Sequence, residues 1–284
     1  YGSRFQLNDR AGASGSICKG ADTFMHRFPD WSRRTAILLF WLFLWHLASL
    51  AVQNQILLVG PLDALKALAV QLASPASWGA LWFSFGRISL GFFMAFLAGL
   101  LTGSLAFWKP LAGEILEPAI QFMKSVPVAS FVILALIWTG AENLSVFISF
   151  LVVYPVIHIN TLAGLSHADP GLLEMARVFR VPVWRQALSI YRISLYPYLE
   201  SALKTSLGMG FKSGIAAEVI GVPGGSIGEG LYMAKIYLST ADLFAWTLMI
   251  IAVSSVFEKL FLLLLKTIAG NGVPGKEENH AASV

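Results

Sequence analysis

Apolar runs at or above the roughly 20 residues a helix needs to cross a bilayer fill this chain from Thr35 to Leu265, separated by short polar or Gly/Pro-marked breaks. The pattern predicts spans over Thr35–Val59, Trp78–Trp108, Ile115–Trp138, Leu144–Leu165, Leu195–Ile220 and Leu243–Leu265. Between the first two, Pro61 to Ala73 reads P-L-D-A-L-K-A-L-A-V-Q-L-A, an amphipathic stretch too short to cross and suited to an interface. Gly140 to Asn143 predicts a tight turn between spans three and four. Pro118, Lys124 and Pro127 interrupt the third run, so a surface elbow followed by a shorter crossing is its alternative form. Gly91, Gly99 and Gly103 supply the second span with a small-residue face for close helix contact. The expected fold is therefore an all-α polytopic membrane protein with about six transmembrane helices.

Composition agrees, with 56% hydrophobic and 13% charged residues and a mean hydropathy of +0.69. No large soluble domain fits beside the spans. Residues 1–34 are expected to be a polar, disordered cytoplasmic lead, residues 35–268 the transmembrane domain, and residues 269–284 a cytoplasmic tail. The cations set the orientation. Arg27, Arg33, Arg34, Lys109, Arg177, Arg180, Arg185, Arg192, Lys266 and Lys276 fall on one side, against Lys66 and Lys235 on the other. By the positive-inside rule both termini are cytoplasmic, and the net charge of +4 reflects loop cations rather than a nucleic-acid surface.

No H-E-x-x-H, P-loop or Gly-x-Ser-x-Gly motif occurs, and Cys18 is the only cysteine, so no metal, nucleotide or hydrolytic centre is expected in this chain. His46 and His158 read as packing histidines. The glycine-rich Gly221–Gly230 lacks the Lys and Ser/Thr of a phosphate loop and reads as an outer turn.

The most polar interior stretch lies in the cytoplasmic loop 166–194. Asp169 suits an N-cap and Pro170 a first helical position, predicting a short helix over Gly171–Phe179 that stops near Val181–Pro182. Leu172, Leu173, Met175, Ala176 and Phe179 would share one side, with Glu174 and Arg177 on another. Such an apolar knob with charged flanks can dock in a partner's groove; spacing alone fits a solvated connecting loop equally well.

This loop resembles the E-A-A loop of ABC importer permeases, E-A-A-x3-G-x9-I-x-L-P. The chain has Glu174-Met175-Ala176, Arg180 at the glycine position, Ile190 at the isoleucine position, and Arg192-Ile193 in place of Leu-Pro. The branch serving nitrate, sulfonates, taurine and related solutes is similar from about Trp78 to Lys266. It is matched through Arg87-Ile88-Ser89-Leu90-Gly91-Phe92, Lys124-Ser125-Val126-Pro127, Ile137-Trp138-Thr139-Gly140 and Asn160-Thr161-Leu162-Ala163-Gly164. Further matches are Pro197, Lys204, Ala217-Glu218 and Gly225-Ser226-Ile227-Gly228-Glu229-Gly230-Leu231.

The resemblance implies a type I ABC importer permease fold in a bacterial inner membrane. It also implies a second permease copy or close homologue, two cytoplasmic ATPase subunits that use ATP and Mg, an extracytoplasmic substrate-binding protein, and no cofactor on this chain. Coupling would fall to Asp169, Pro170, Leu173, Glu174, Met175, Ala176, Arg177, Phe179, Arg180 and Pro182. Arg180 in place of glycine moves the expected helix end to Pro182. Glu174→Ala with a bulky or charged residue at 176 is expected to break coupling.

Charges at bilayer depth cost about 2.5–3.5 kcal/mol each, so they face a cavity or a partner. Arg87, Lys124, Lys204, Lys212 and Glu218 are such groups, and with Ser125, Pro127 and Gly208 they are the candidate translocation-path residues. The alternative for Arg87 and Glu218 is a structural ion pair with each other. Lys212 stands where the family has an aromatic residue, and its charge would favour an anionic or electron-rich solute. Ser206, Gly208, Gly210 and Ser213 give the fifth span a small-residue surface suited either to the route or to packing. An ion-coupled carrier or channel, or a membrane enzyme, is the rival class; neither needs a Pro-bounded cytoplasmic helix.

Overall fold

The computed structural model describes residues 30–269 except residue 55; the lead up to residue 29, the tail from residue 270, Cys18, Arg27 and Lys276 lie outside the described residues, while residues 30–34, expected in the disordered lead, are helical. The chain divides at Asp63 into two units, taken separately below.

In the first unit, helix α1 (Asp30–Val52) is long and apolar enough to cross a membrane, and none of its apolar window is buried. It ends seven residues before the expected Val59. Gln53 takes a left-handed backbone, φ 48°, and Leu57 and Leu58 donate to the Asn54 carbonyl in a turn. The Trp45 indole N–H donates to Val59 O at 3.0 Å, fastening the returning segment to the helix. His46 Nδ1 is buried without a hydrogen-bond partner, contrary to the satisfied histidine expected there.

Helix α2 (Pro61–Ala73) forms as the amphipathic pattern predicts. The second unit continues with α3 (Pro75–Trp108), α4 (Pro110–Ser125), α5 (Val128–Ser166), α6 (Pro170–Val178), α7 (Val183–Gln186), a π-helical turn (Ala187–Tyr191), α8 (Arg192–Gly221), α9 (Ile227–Ile236) and α10 (Thr240–Ala269). No strand occurs among the described residues.

Three long helices, α3, α5 and α8, form the scaffold. Ile88 and Phe92 of α3, Val153 and Ile157 of α5, and Leu203 and Leu207 of α8 meet in one buried cluster, with Phe257 and Phe261 of α10 packed edge-on against Phe92. Hydrocarbon is as apolar as these side chains, so close packing rather than water exclusion must hold the helices together. The expected small-residue face of α3 serves that purpose. A Cβ added to Gly91 would lie 2.3 Å from Val146 O, one on Gly99 2.9 Å from Ile157 Cβ, and one on Gly103 2.7 Å from Thr161 Cβ. His158 sits in this seam as a satisfied packing residue, its Nδ1 2.9 Å from Thr102 Oγ1, which also accepts from the Tyr154 hydroxyl.

The third expected span is revised. It takes its alternative form: the amphipathic α4 places Ile120 in the core cluster and stops at the Val126–Pro127 joint, and a second helix starts at Val128. Pro127 cannot donate the amide that would continue α4, which places the break. The turn expected at Gly140–Asn143 is present. Gly140, φ 72° and ψ 167°, divides α5 into two helices without leaving a loop, a conformation a side chain would strain. Helix α8 has 30 residues, about 45 Å at the α-helical rise, but it is not among the four helices of the described residues that are long and apolar enough to cross a membrane.

Candidate functional site

Between α5 and α8 the chain builds a short, capped helix, α6. The Asp169 carboxylate accepts the Gly171 N–H at 2.8 Å, and Pro170 occupies the first turn, so α6 starts where residue chemistry places it. Its end departs from expectation. Arg180 adopts φ 50°, with its N–H bonded to Arg177 O at 3.1 Å and the Val181 N–H bonded to Ala176 O at 2.8 Å. These two bonds around a left-handed residue are a Schellman C-cap, a position glycine fills most readily. Arg180 therefore preserves the ending its replacement of glycine put in question: α6 closes at Val178, not at Pro182. A left-handed non-glycine residue costs roughly 1–2 kcal/mol.

The five apolar residues expected on one side are divided. Ala176 is 2% exposed and Leu173 half-buried, facing back into the loop, whereas Leu172, Met175 and Phe179 project outward with Glu174. Val178, absent from the sequence reading, is 78% exposed and Phe179 73%, at the tip. Pro182 opens the return: the Arg185 and Gln186 amides donate to its carbonyl, and helical structure then runs unbroken through α7, the π turn and α8. The base of α8 is clamped to α5, where Ser194 Oγ donates to Gly164 O at 2.8 Å and a Cβ on Gly164 would meet Leu195 Cδ1 at 2.9 Å.

Along α8 the exposed positions Ser201, Lys204, Thr205, Met209, Lys212, Ala216 and Ile220 form one face, with Gly208 half-buried within it. Lys204 pairs with Glu200 at 2.5 Å; Lys212 enters no ion pair among the described residues. The expected small-residue surface splits. Gly208 stays on the open face, while Ser206 and Gly210 turn inward, Gly210 O accepting from Ser149 Oγ.

Arg87 and Glu218 do not pair with each other. Arg87 reaches the turn after Gly140, bonding the Glu142 carbonyl and carboxylate and Asn143 Oδ1, and stacking over Phe83 at 4.4 Å. Glu142 is 78% exposed at its side chain, so the ion pair is screened. A double-mutant cycle of Arg87→Met and Glu142→Gln, read by thermal unfolding, is expected to give a coupling below about 1 kcal/mol.

Glu218 is fully buried at the far end of α8. Ser84 Oγ donates to its Oε2 at 2.5 Å, the Gly228 N–H approaches the same oxygen at 3.4 Å, and the Ile227 N–H donates to Ser84 Oγ at 2.9 Å. Its Oε1 has no well-formed hydrogen bond, with the Ser145 hydroxyl nearby. The segment between α8 and α9 is fixed by Val222 at φ 47°, Gly225 at φ 72°, and a capping arrangement. In it Ser226 Oγ accepts the Glu229 N–H and the Glu229 carboxylate accepts the Gly225 N–H. Gly221–Gly230 is thus a folded hairpin at that end.

Lys124, Ser125 and Pro127 are exposed at the α4–α5 joint, and no hydrogen bond or ion pair among the described residues links them to the α8 charges. Only Lys204, Gly208 and Lys212 of the candidate pathway set share a face. No three His, Cys, Asp or Glu side chains converge as a metal site among the described residues.

Residues 88–269 match the family described as "Binding-protein-dependent transport system inner membrane component". The chain is similar to a nitrate import permease protein of Synechococcus elongatus, 28% identical over 50% of this chain and 51% of that protein. It is also similar to an aliphatic sulfonates transport permease protein of Bacillus subtilis, 26% identical over 77% and 79%. A bicarbonate transport system permease protein of Synechocystis sp. is 28% identical over 54% and 55%. The aligned part spans about half the length of the nitrate and bicarbonate relatives.

Proposed function

We propose, because this chain belongs to the family of binding-protein-dependent transport system inner membrane components and is an ABC importer permease of the nitrate/sulfonate branch, that it moves a small anion inward by alternating access. Two copies, or this chain and a close homologue, enclose the path; two cytoplasmic ATPase subunits hold ATP and Mg; an extracytoplasmic binding protein delivers the solute. This chain binds no cofactor. Both termini and the lever lie in the cytoplasm, on the side where its loop cations collect.

The observation that carries this reading is the capped helix α6, which presents Met175, Val178 and Phe179 outside the bundle and is followed, after the turn at 179–182, by helical structure continuous into α8. An apolar tip of this kind suits a groove on a partner. Asp169, Pro170 and Pro182 hold the lever's ends, Glu174, Arg177 and Arg180 flank the tip, and Leu173 and Ala176 form its base. ATP binding draws the ATPases together, the levers follow, and α8 with α3, α5 and α10 rocks so that the cavity faces outward; hydrolysis returns it. Purification of the tagged chain from its native membrane is expected to bring down a nucleotide-hydrolysing subunit. Recovery alone, with uptake unaffected by ATP depletion, would refute the proposal.

The open face of α8 is the proposed lining of the path, since a helix bearing Lys204 and Lys212 is costly against lipid. Nitrate, sulfonates and bicarbonate, the solutes in the relatives' names, are all anions, which suits Lys212 as an attracting group. Lys212→Met is expected to raise the apparent KM of anion uptake about tenfold while leaving ATPase association intact, the loss of one charge-assisted contact. Unchanged uptake and solute preference would remove Lys212 from the path.

A further inference from the structure

We infer that the recess behind the coupling helix binds the phosphate headgroup of an anionic phospholipid from the adjoining leaflet. This rests on the cytoplasmic placement of the lever proposed above.

The recess has a volume of about 360 Å³ and is lined by Arg177, Arg180, Gln186 and Tyr191, with Leu173 and Ala176 behind. No carboxylate lines it, and neither arginine forms an ion pair among the described residues. It therefore concentrates two cations without a counter-charge, in a space many times the roughly 30 Å³ share of one water. The backbone that presents Arg180 is held by the two C-cap hydrogen bonds, and Gln186 is tied down by its Nε2–H bond to Val181 O at 2.7 Å. Arginine forks fit phosphate oxygens, and pre-positioned ones lose less entropy on binding.

A soluble phosphate offers the same chemistry, but the surroundings select a lipid. The Tyr191 ring packs edge-on against Phe107 at 5.5 Å and Trp108 at 5.9 Å, and these are the last two residues of the apolar α3. Trp108 is 55% exposed and is followed by Lys109, a sequence of apolar helix, tryptophan and cation that marks the passage from hydrocarbon to headgroups. In α7, just ahead of the turn that carries Tyr191, the exposed Trp184 has the Arg185 guanidinium 5.1 Å from its ring. A headgroup in the recess thus has its glycerol and acyl portion beside an aromatic rim, while its phosphate sits between the lever and the base of α8. Occupancy would stiffen the junction through which the lever moves α8.

The test uses the full chain in nanodiscs, without ATPase, comparing retention of phosphatidylglycerol and phosphatidylcholine by native mass spectrometry. Phosphatidylglycerol is expected to be retained preferentially. Each arginine is worth roughly fivefold at a membrane surface, so R177Q/R180Q should weaken retention about thirtyfold. R177K/R180K should retain more than R177Q/R180Q but less than the unaltered chain, since it keeps the charge and loses the fork, separating charge from folding, and K235Q should be without effect. Equal retention of the two lipids, or no loss in R177Q/R180Q, would overturn the inference. Displacement by excess inorganic phosphate would overturn it in favour of a soluble anion, and complete loss of bound lipid on adding the ATPase would assign the arginines to that partner. Because retention is read on the chain alone, failure to associate with an ATPase would count against the transport reading and not against the lipid measurement.

Discussion

Val178→Asp with Phe179→Asp is expected to abolish transport-coupled ATP hydrolysis, lowering the solute-stimulated rate at least about 100-fold, while the permease folds and inserts as before. Both side chains are more than 70% exposed and anchor nothing inside the chain, so their replacement costs the isolated fold little. At a docked interface they would lose about 1.5–3 kcal/mol each of apolar burial and force two carboxylates into a groove shaped for hydrocarbon. Unchanged stimulation, measured in a reconstituted complex, would remove α6 as the contact. The comparison with Ala176→Asp is instructive. Ala176 is buried at the helix base, so a charge there breaks the loop itself, and the paired Glu174→Ala and Ala176 change suggested by the motif would confuse misfolding with undocking. The exposed pair isolates docking.

Gly228→Ala is expected to be the most damaging single methyl at the other end of the bundle. Its Cβ would lie 2.3 Å from Glu218 Cβ and 2.4 Å from the Glu218 carbonyl carbon. Backbone cannot rotate away, so α9 must lift from α8. That movement would strain the Ser84–Glu218 and Ile227–Ser84 bonds and leave a buried carboxyl with fewer partners. Overpacking and the lost hydrogen bonds together cost about 3 kcal/mol or more, an unfolding midpoint lower by roughly 5–10 °C, with uptake lost. Gly224→Ala, four residues earlier in the same hairpin, meets nothing within 4 Å and is expected to be silent. Equal midpoints for the two variants would mean that the α8–α9 contact is not tight.

How much of this was legible beforehand depends on whether a feature is local. The Asp169–Pro170 start of α6, the Gly140 turn and the glycine face of α3 were readable because each depends on one residue's backbone freedom or on a spacing of four along one helix. The end of α6 was misread because sequence treats Arg180 as a lost glycine, whereas two hydrogen bonds hold an arginine in the same left-handed conformation. Charge alone allows Arg87 and Glu218 to pair. In the fold, Arg87 reaches only the turn after Gly140, and Glu218 is enclosed by Ser84 and the start of α9.

Apolar run length and helix-end chemistry were sufficient for the membrane class and for the short helix α6, since both follow from transfer free energies and local sterics. Which face of each helix is open was settled only by packing. It turned Ala176 inward and Val178 outward, divided Gly208 from Gly210, and left Lys212 on an open face while burying Glu218. Those outcomes depend on which neighbours fill the space around a residue, and side chains far apart in the chain decide that together.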